Sequence, residues 1–345
     1  MDLNSAFTTI QRVADADADA VKKARERRDL FRRALEIEDD VYEVVPSGSL
    51  ARSTQRDPLN DVDIVAIYQA DSHGDWGTPG HSAADALDHL QAQIHRLLGA
   101  TDGTYEKAVR LASPRNHAVK CFLDPPDGEG AFTVDATPGL RDAGGGLLIP
   151  EKNSEKWIRT HPEHLIDAVD DRQKAWDLFR PLVRLLKYWN DTHGKLMKSL
   201  TVEVLELNVL PPETTKPLAL RRFFQAAANA VYQPITDPAA LCGEIQPGLD
   251  VDAVYELLEG AASHAWHAVN AQADGDTDEA ICRWRKVFGE EFPQPEGGCT
   301  ADEGDTDGSG ASFNIGTGAA GGGGAAVGEE SKKPKKRKVI DAPQG

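Results

Sequence analysis

The sequence predicts an α+β fold: a mixed sheet with flanking helices, followed by an all-α lobe. Three observations predict it. Residues 1–152 alternate helical periodicity with short β-branched and aromatic runs. Residues 153–293 read as helix after helix. Residues 294–345 shift to Gly, Ala, Ser, Asp and Thr, with too little apolar side chain to build a core. The expected domains are therefore an α/β lobe with a long N-terminal helix (1–152), a helical lobe (153–293) and a disordered Gly-rich tail (294–345).

The elements follow in order. Residues 14–35 interleave Val21, Ala24, Leu30, Phe31 and Ala34 with lysines and arginines, uninterrupted by Pro or Gly, which predicts a helix. Its basic residues read as a solvated face. Residues 42–46 form a short strand, then a Gly-Ser turn and a short helical segment. Residues 63–68 are apolar at nearly every position, as in a strand buried on both faces. Residues 81–98 carry Ala84, Leu87, Leu90, Ile94 and Leu97 on one side of a helix. Strands are expected at 105–112, 118–123 and 132–136, parted by turn-rich segments at 113–116 and 124–128. Helices are expected at 157–169, 176–192, 200–210, 217–232, 251–273 and 277–288.

Composition bounds the function. With 40% hydrophobic residues the chain has a globular body. A net charge of −18 argues against stable binding of long nucleic acid, because neutralising phosphates requires a basic surface. It leaves room for a local pocket that holds one or two nucleotides. Cys121, Cys242, Cys282 and Cys299 match no zinc spacing and read as reduced thiols. Neither a membrane-length apolar run nor a secretory head is present, so a cytoplasmic monomer is expected.

The chemistry concentrates in Gly48-Ser49, a spacer of eleven residues, and Asp61-Val62-Asp63 opening an apolar strand. Alternate strand residues share a face, so Asp61 and Asp63 present two carboxylates together while Val62 points to the core. Hard oxygen ligands suit Mg²⁺, and two such ions can activate a hydroxyl and neutralise a leaving pyrophosphate. Gly48 allows backbone to approach a phosphate, and Ser49 opens a helix whose free N–H groups and hydroxyl can hold phosphate oxygens. Asp135, a lone acid among β formers, is the third expected ligand.

These residues resemble the DNA polymerase β-like nucleotidyltransferase superfamily, with its Gly-Ser, spacer and Asp-x-Asp signature. More narrowly, residues 5–293 resemble the bacterial cGAS/DncV-like nucleotidyltransferases (CD-NTases), the cyclic oligonucleotide synthases of antiphage CBASS systems. The narrower resemblance rests on 144–150 with 157–162, on Arg184-Leu185-Leu186-Lys187-Tyr188-Trp189-Asn190, on Lys198-Ser199-Leu200 with Glu203-Val204-Leu205, and on 284–293. It implies an active site in the cleft between the lobes. Lys187 and Ser199 would touch the nucleotide phosphates, and two Mg²⁺ (or Mn²⁺) ions would sit on Asp61, Asp63 and Asp135. The substrates would be ATP, another nucleoside triphosphate, or both. Read from the residues alone, Lys187 either snorkels out or faces the cleft, and Ser199 is a helix cap.

One position departs from the pattern: Leu200 stands where related enzymes often carry an aromatic base-stacking residue. Stacking would fall to Tyr188 or Tyr105, or give way to apolar contact. The tail holds Lys332–Lys338, which reads as a solvated extension or resembles a nuclear localisation signal. In the resembling class, partner proteins akin to ubiquitin-transfer enzymes join some C-termini to other molecules, which makes Gly345 a candidate conjugation terminus and such regulatory proteins candidate partners. Two rival functions remain: a linear nucleotidyltransferase acting on RNA ends or a protein, and a nucleotide-binding module without turnover.

Overall fold

Strand β2 (Asp61–Tyr68) lies at the heart of a mixed sheet, and its alternation sets the architecture. Val62, Ile64, Ala66 and Tyr68 point into one core, while Val65 and Ile67 enter a small cluster on the other face. The structure, a computed structural model, describes residues 1–99, 108–124 and 130–299. Strand β1 (Val41–Ser47) pairs antiparallel with β2 on one side. On the other side β5 (Thr133–Arg141) runs parallel to β2, with Asp63 level with Asp135. Strand β4 (Val119–Phe122) pairs with the first half of β5, and β3 (Leu111–Pro114) closes that edge. Strand β6 (Leu147–Glu151) pairs with the far end of β5, and β7 (Lys156–Thr160) with β6. Pro114 is tolerated in β3 because an edge strand need not donate every N–H.

Helices α2 (Ala18–Leu35) and α4 (Ser82–Leu97) cover one face of the sheet. Phe31 and Leu35 of α2 and Leu87, Leu90 and Ile94 of α4 are fully buried there against Ile64 and Ala66. Between β1 and β2 lies the one-and-a-half-turn helix α3 (Gly48–Arg52), which ends at Ser53 in the left-handed region (φ 58°).

The helical lobe has its own core, built from α5 (Pro162–Ala175), α6 (Phe179–Thr192), α7 (Ser199–Val209), α8 (Lys216–Ala230), α9 (Val251–Ala273) and α10 (Thr277–Phe288). An additional helix joins it. Helix α1 (Leu3–Ala14), capped by Asp2, buries Leu3, Ala6, Phe7, Ile10 and Ala14 in this core, not against the sheet. The Phe7 ring meets those of Trp284 and Phe292 edge-on, each at 5.2 Å. The sequence reading placed residues 1–152 together and missed α1, whose apolar stripe finds its partners some 280 residues downstream.

Two further expectations are corrected. The helix expected over 157–169 is a strand and a helix, because the residue before Pro162 is driven to extended backbone and Pro is at home in the first helical turn. Cys282 and Cys299, expected as thiols, form a disulfide: the chain turns back after α10 and brings their Cα atoms to 5.6 Å. Cys121 and Cys242 are free. Among the described residues, no helix is long and apolar enough to cross a membrane. The expected strand start at Tyr105 and residues 300–345 of the expected tail, with its basic cluster and Gly345, lie outside the described residues.

Candidate active site

The register of β2 and β5 brings the acids together. Because β2 buries Val62 and Ile64 under α2 and α4, Asp61 and Asp63 project from the opposite face. Level strand neighbours share a face, so Asp135 points the same way as Asp63. Asp61 is exposed, Asp63 is half-buried, and Lys120 on β4 stands level with Asp135, its Nζ 3.8 Å from Asp135 Oδ1. That oxygen is shielded from solvent and accepts no hydrogen bond among the described residues.

Three carboxylates so placed repel one another. Burial first, then the charges of Asp61 and Asp135, push the Asp63 carboxyl up to about 7. Burial also raises Asp135, with Lys120 opposing and Asp61 adding to the rise. A hard cation would relieve this repulsion and use the oxygen that accepts no hydrogen bond, so the donor set fits Mg²⁺.

Gly48 is required by geometry. It sits at φ 69°, and a Cβ there would lie 1.7 Å from Asp63 Oδ2. The turn therefore passes directly over the carboxylate, and only hydrogen fits between. Gly48, Ser49, Asp61 and Asp63 line a cleft of about 610 Å³, within the range of sites that hold ligands of nucleotide size. Its other walls include Lys187, Lys195, Ser199 and Leu200 from the helical side, with Thr160, His161 and Pro162 where β7 meets α5. Asp135 stands beside Asp63 but is not in the cleft lining.

Lys187 does not snorkel out. It is 3% exposed and its ammonium donates to Glu203, to Thr54 O at 3.2 Å and to Thr54 Oγ1 at 3.3 Å. Glu203, fully buried on α7, also takes the Arg52 guanidinium and the Thr54 hydroxyl (2.9 Å). Burial alone would raise Glu203. The charges of Lys187 and Arg52 and their hydrogen bonds outweigh it and hold the carboxyl at about 2. This clamp joins the segment that follows Gly48-Ser49 to α6 and α7. Arg180 Nε to Arg52 O (2.9 Å) and Arg184 to Ser53 O (3.1 Å) reinforce it. One turn along α7, Glu206 is also buried; neither of its side-chain oxygens accepts a hydrogen bond among the described residues, and burial raises its carboxyl well above the ordinary value, with the Lys187 charge opposing and the Glu203 charge adding.

Ser199 is the first residue of α7 and its side chain caps nothing; the cap position is Lys198, so the capping expectation is corrected. Tyr188 is buried and does not line the cleft; its ring lies 5.9 Å from the Arg56 guanidinium. The sequence reading missed Arg52, Thr54 and Glu203 as a unit. The available signal was an acid in a nearly all-apolar helix, since such residues are buried only with partners.

The profile of the Second Messenger Oligonucleotide or Dinucleotide Synthetase (SMODS) domain matches residues 1–173. The chain belongs to this family. It is a nucleotidyltransferase of the CD-NTase class. A cyclic AMP-AMP-AMP synthase of Acinetobacter sp. is 27% identical over 303 residues, covering 80% of this chain and 81% of its own. A cyclic AMP-AMP-GMP synthase of Enterobacter hormaechei is 23% identical over 327 residues, covering 79% and 86%. The solved structure of E. coli MS115-1 CdnC with ATP superposes with a TM-score of 0.64 at 19% identity, covering 85% of this SMODS chain and 99% of that one, which supports the same fold.

Three outcomes are expected. Gly48→Ala should displace the Asp63 carboxylate and lower turnover about 10²-fold in a nucleotide-incorporation assay, and the left-handed backbone forced on alanine should lower the melting temperature by a few degrees. A buried acid raised from 3.8 to about 7 binds more protons folded than unfolded, so its contribution to stability falls as pH rises through that window. Calorimetry of metal-free protein should therefore show Asp63→Asn more stabilising at pH 8 than at pH 5, and saturating Mg²⁺ should close the gap for the wild type. Glu203→Gln should leave Lys187 and Arg52 uncompensated and cost about 3–5 kcal/mol in urea unfolding.

Proposed function

We propose that this SMODS chain joins nucleoside triphosphates, ATP among them, into a cyclic di- or trinucleotide that serves as an antiphage signal, releasing pyrophosphate at each step. The observation that carries the reading is the level register of Asp63 and Asp135 beside Asp61, at a cleft whose opposite wall holds Lys187 and Ser199. The Acinetobacter and Enterobacter synthases are named for products that contain AMP, which supports ATP as a substrate.

In this reading the turn at Gly48-Ser49 holds phosphate oxygens from one side and Ser199 meets them from the other. Lys187, pinned by Glu203 and Thr54, supplies fixed positive charge at the floor, and Lys195 a second cation at the rim. Asp61, Asp63 and Asp135 would hold two Mg²⁺ ions; when bound, these lower the charge on the triphosphate and acidify the attacking hydroxyl. A ribose hydroxyl attacks the α-phosphate, a new P–O bond forms as the bond to pyrophosphate breaks, and the hydroxyl proton leaves to a carboxylate. Cyclisation repeats this step within the linear product.

The base is held without an aromatic ring at position 200. Among the described residues the cleft lining has no Phe, Tyr or Trp; Leu200, Ile245, Pro162 and Pro238 offer apolar contact, with the His161 imidazole beside them. This favours the apolar alternative to stacking.

Incubation with all four nucleoside triphosphates and Mg²⁺, then phosphatase treatment and mass analysis, tests the reading. A phosphatase-resistant cyclic product is expected, and its loss to background in the Asp61→Asn, Asp63→Asn protein. Linear products alone would support the linear nucleotidyltransferase. No product with any divalent metal would support the binding module.

A further inference from the structure

A second set of metal-type donors lies at the opposite end of the sheet from the acids. Asp40 precedes β1, His73 lies in the turn after β2, and His89 is on α4, so three separate segments converge. Asp40 Oδ2 is 3.0 Å from His73 Nε2 and 2.7 Å from His89 Nε2. The three donor atoms all lie within 4.8 Å of one another. Asp63 and Tyr68, the residue level with Val41, are five positions apart on β2, about 16 Å of strand. The cluster is therefore distinct from the nucleotide cleft.

The surroundings are built like the second layer of a metal centre. Tyr68 donates to Gln93 Oε1, which fixes that amide, and Gln93 Nε2 then donates to Asp40 Oδ1 at 2.9 Å. One carboxylate oxygen is thus held by a buried amide, and the other faces both imidazoles. Trp76 stacks on the His73 ring at 3.8 Å and sets its orientation.

We propose that Asp40, His73 and His89 bind one Zn²⁺ ion that pins α4 to the sheet's distal end. Two neutral imidazoles and a carboxylate are a borderline donor set that favours Zn²⁺ over the hard Mg²⁺. Tetrahedral ligands at about 2.0–2.1 Å from zinc lie roughly 3.3 Å apart, so each imidazole nitrogen need draw back from Asp40 Oδ2 by only about half an ångström. His89 is 37% exposed, which leaves an entry path and room for a water as fourth ligand. The role is structural, since binding cross-links three segments of one lobe.

The test uses the full chain carrying Asp61→Asn and Asp63→Asn, in excess Mg²⁺, so that the cleft does not compete. Zinc is titrated against a chromophoric chelator and counted by elemental analysis after dialysis. One Zn²⁺ per chain is expected, with a melting temperature raised by a few degrees and X-ray absorption showing two imidazoles and no sulfur. His73→Ala and His89→Ala should weaken binding at least ~100-fold, and Gln93→Leu about 10- to 100-fold. His89→Gln keeps a donor toward Asp40 and guards against simple misfolding, which circular dichroism checks; it too should lose zinc. Absence of one-to-one binding overturns the proposal, and so does unchanged affinity in folded His89→Gln protein.

Discussion

The buried carboxylate of Glu203 is the interaction on which the site depends. It takes a guanidinium from Arg52 and a hydroxyl from Thr54, both in the segment after Gly48-Ser49, and an ammonium from Lys187 on α6. Burying four polar groups costs several kcal/mol before their attraction is counted, so the clamp is weak evidence for stability as such. Its value is positional. The segment directly after Gly48-Ser49 cannot shift relative to α6 and α7 without breaking charge-assisted bonds in a low-dielectric interior. The turn that crosses Asp63 and the helices that carry Lys187 and Ser199 are thereby held as one frame, although their hydrophobic cores are separate.

Within that frame the acids carry the opposite kind of energy. Glu203 is stabilised by its neighbours and sits low; Asp63 is destabilised by its neighbours and sits near 7. The contrast separates a group that completes the protein from one that waits for a ligand. Gly48 reveals the same division in steric terms, because the chain gives up any side chain at that position to keep the Asp63 carboxylate where it is. Cations bound there would recover the electrostatic cost, which couples substrate and metal binding to local order.

Much of the architecture was legible. Helices α9 and α10 begin and end where their apolar period and Asp caps say they should. The pairing of Asp61, Asp63 and Asp135 was legible because strand period and isolated acids are local signals. What was hidden was nonlocal. The stripe of α1 is too short to name its partner, and Phe7 meets Trp284 and Phe292 only after the whole helical lobe has folded. The cysteine spacing gave no hint of the Cys282–Cys299 bridge, which exists because the chain reverses after α10. For Lys187 the sequence left two readings open, outward or toward the cleft, and its burial follows from Glu203 on a different helix.

By itself the sequence determined the donor groups of the proposed site in this SMODS chain: a Gly-Ser turn, an Asp-x-Asp strand and a third strand acid, because residue type and alternation are written locally. The tertiary structure alone decided the alignment. The parallel register of β2 on β5 sets Asp135 level with Asp63. The clearance over Gly48 ties the turn to that carboxylate. The Glu203 clamp fixes both against the helical wall. Each of these depends on groups fifteen or more positions apart meeting at distances of a few ångströms, and such meetings are set by packing and by the cost of unpaired buried charge, not by local propensity.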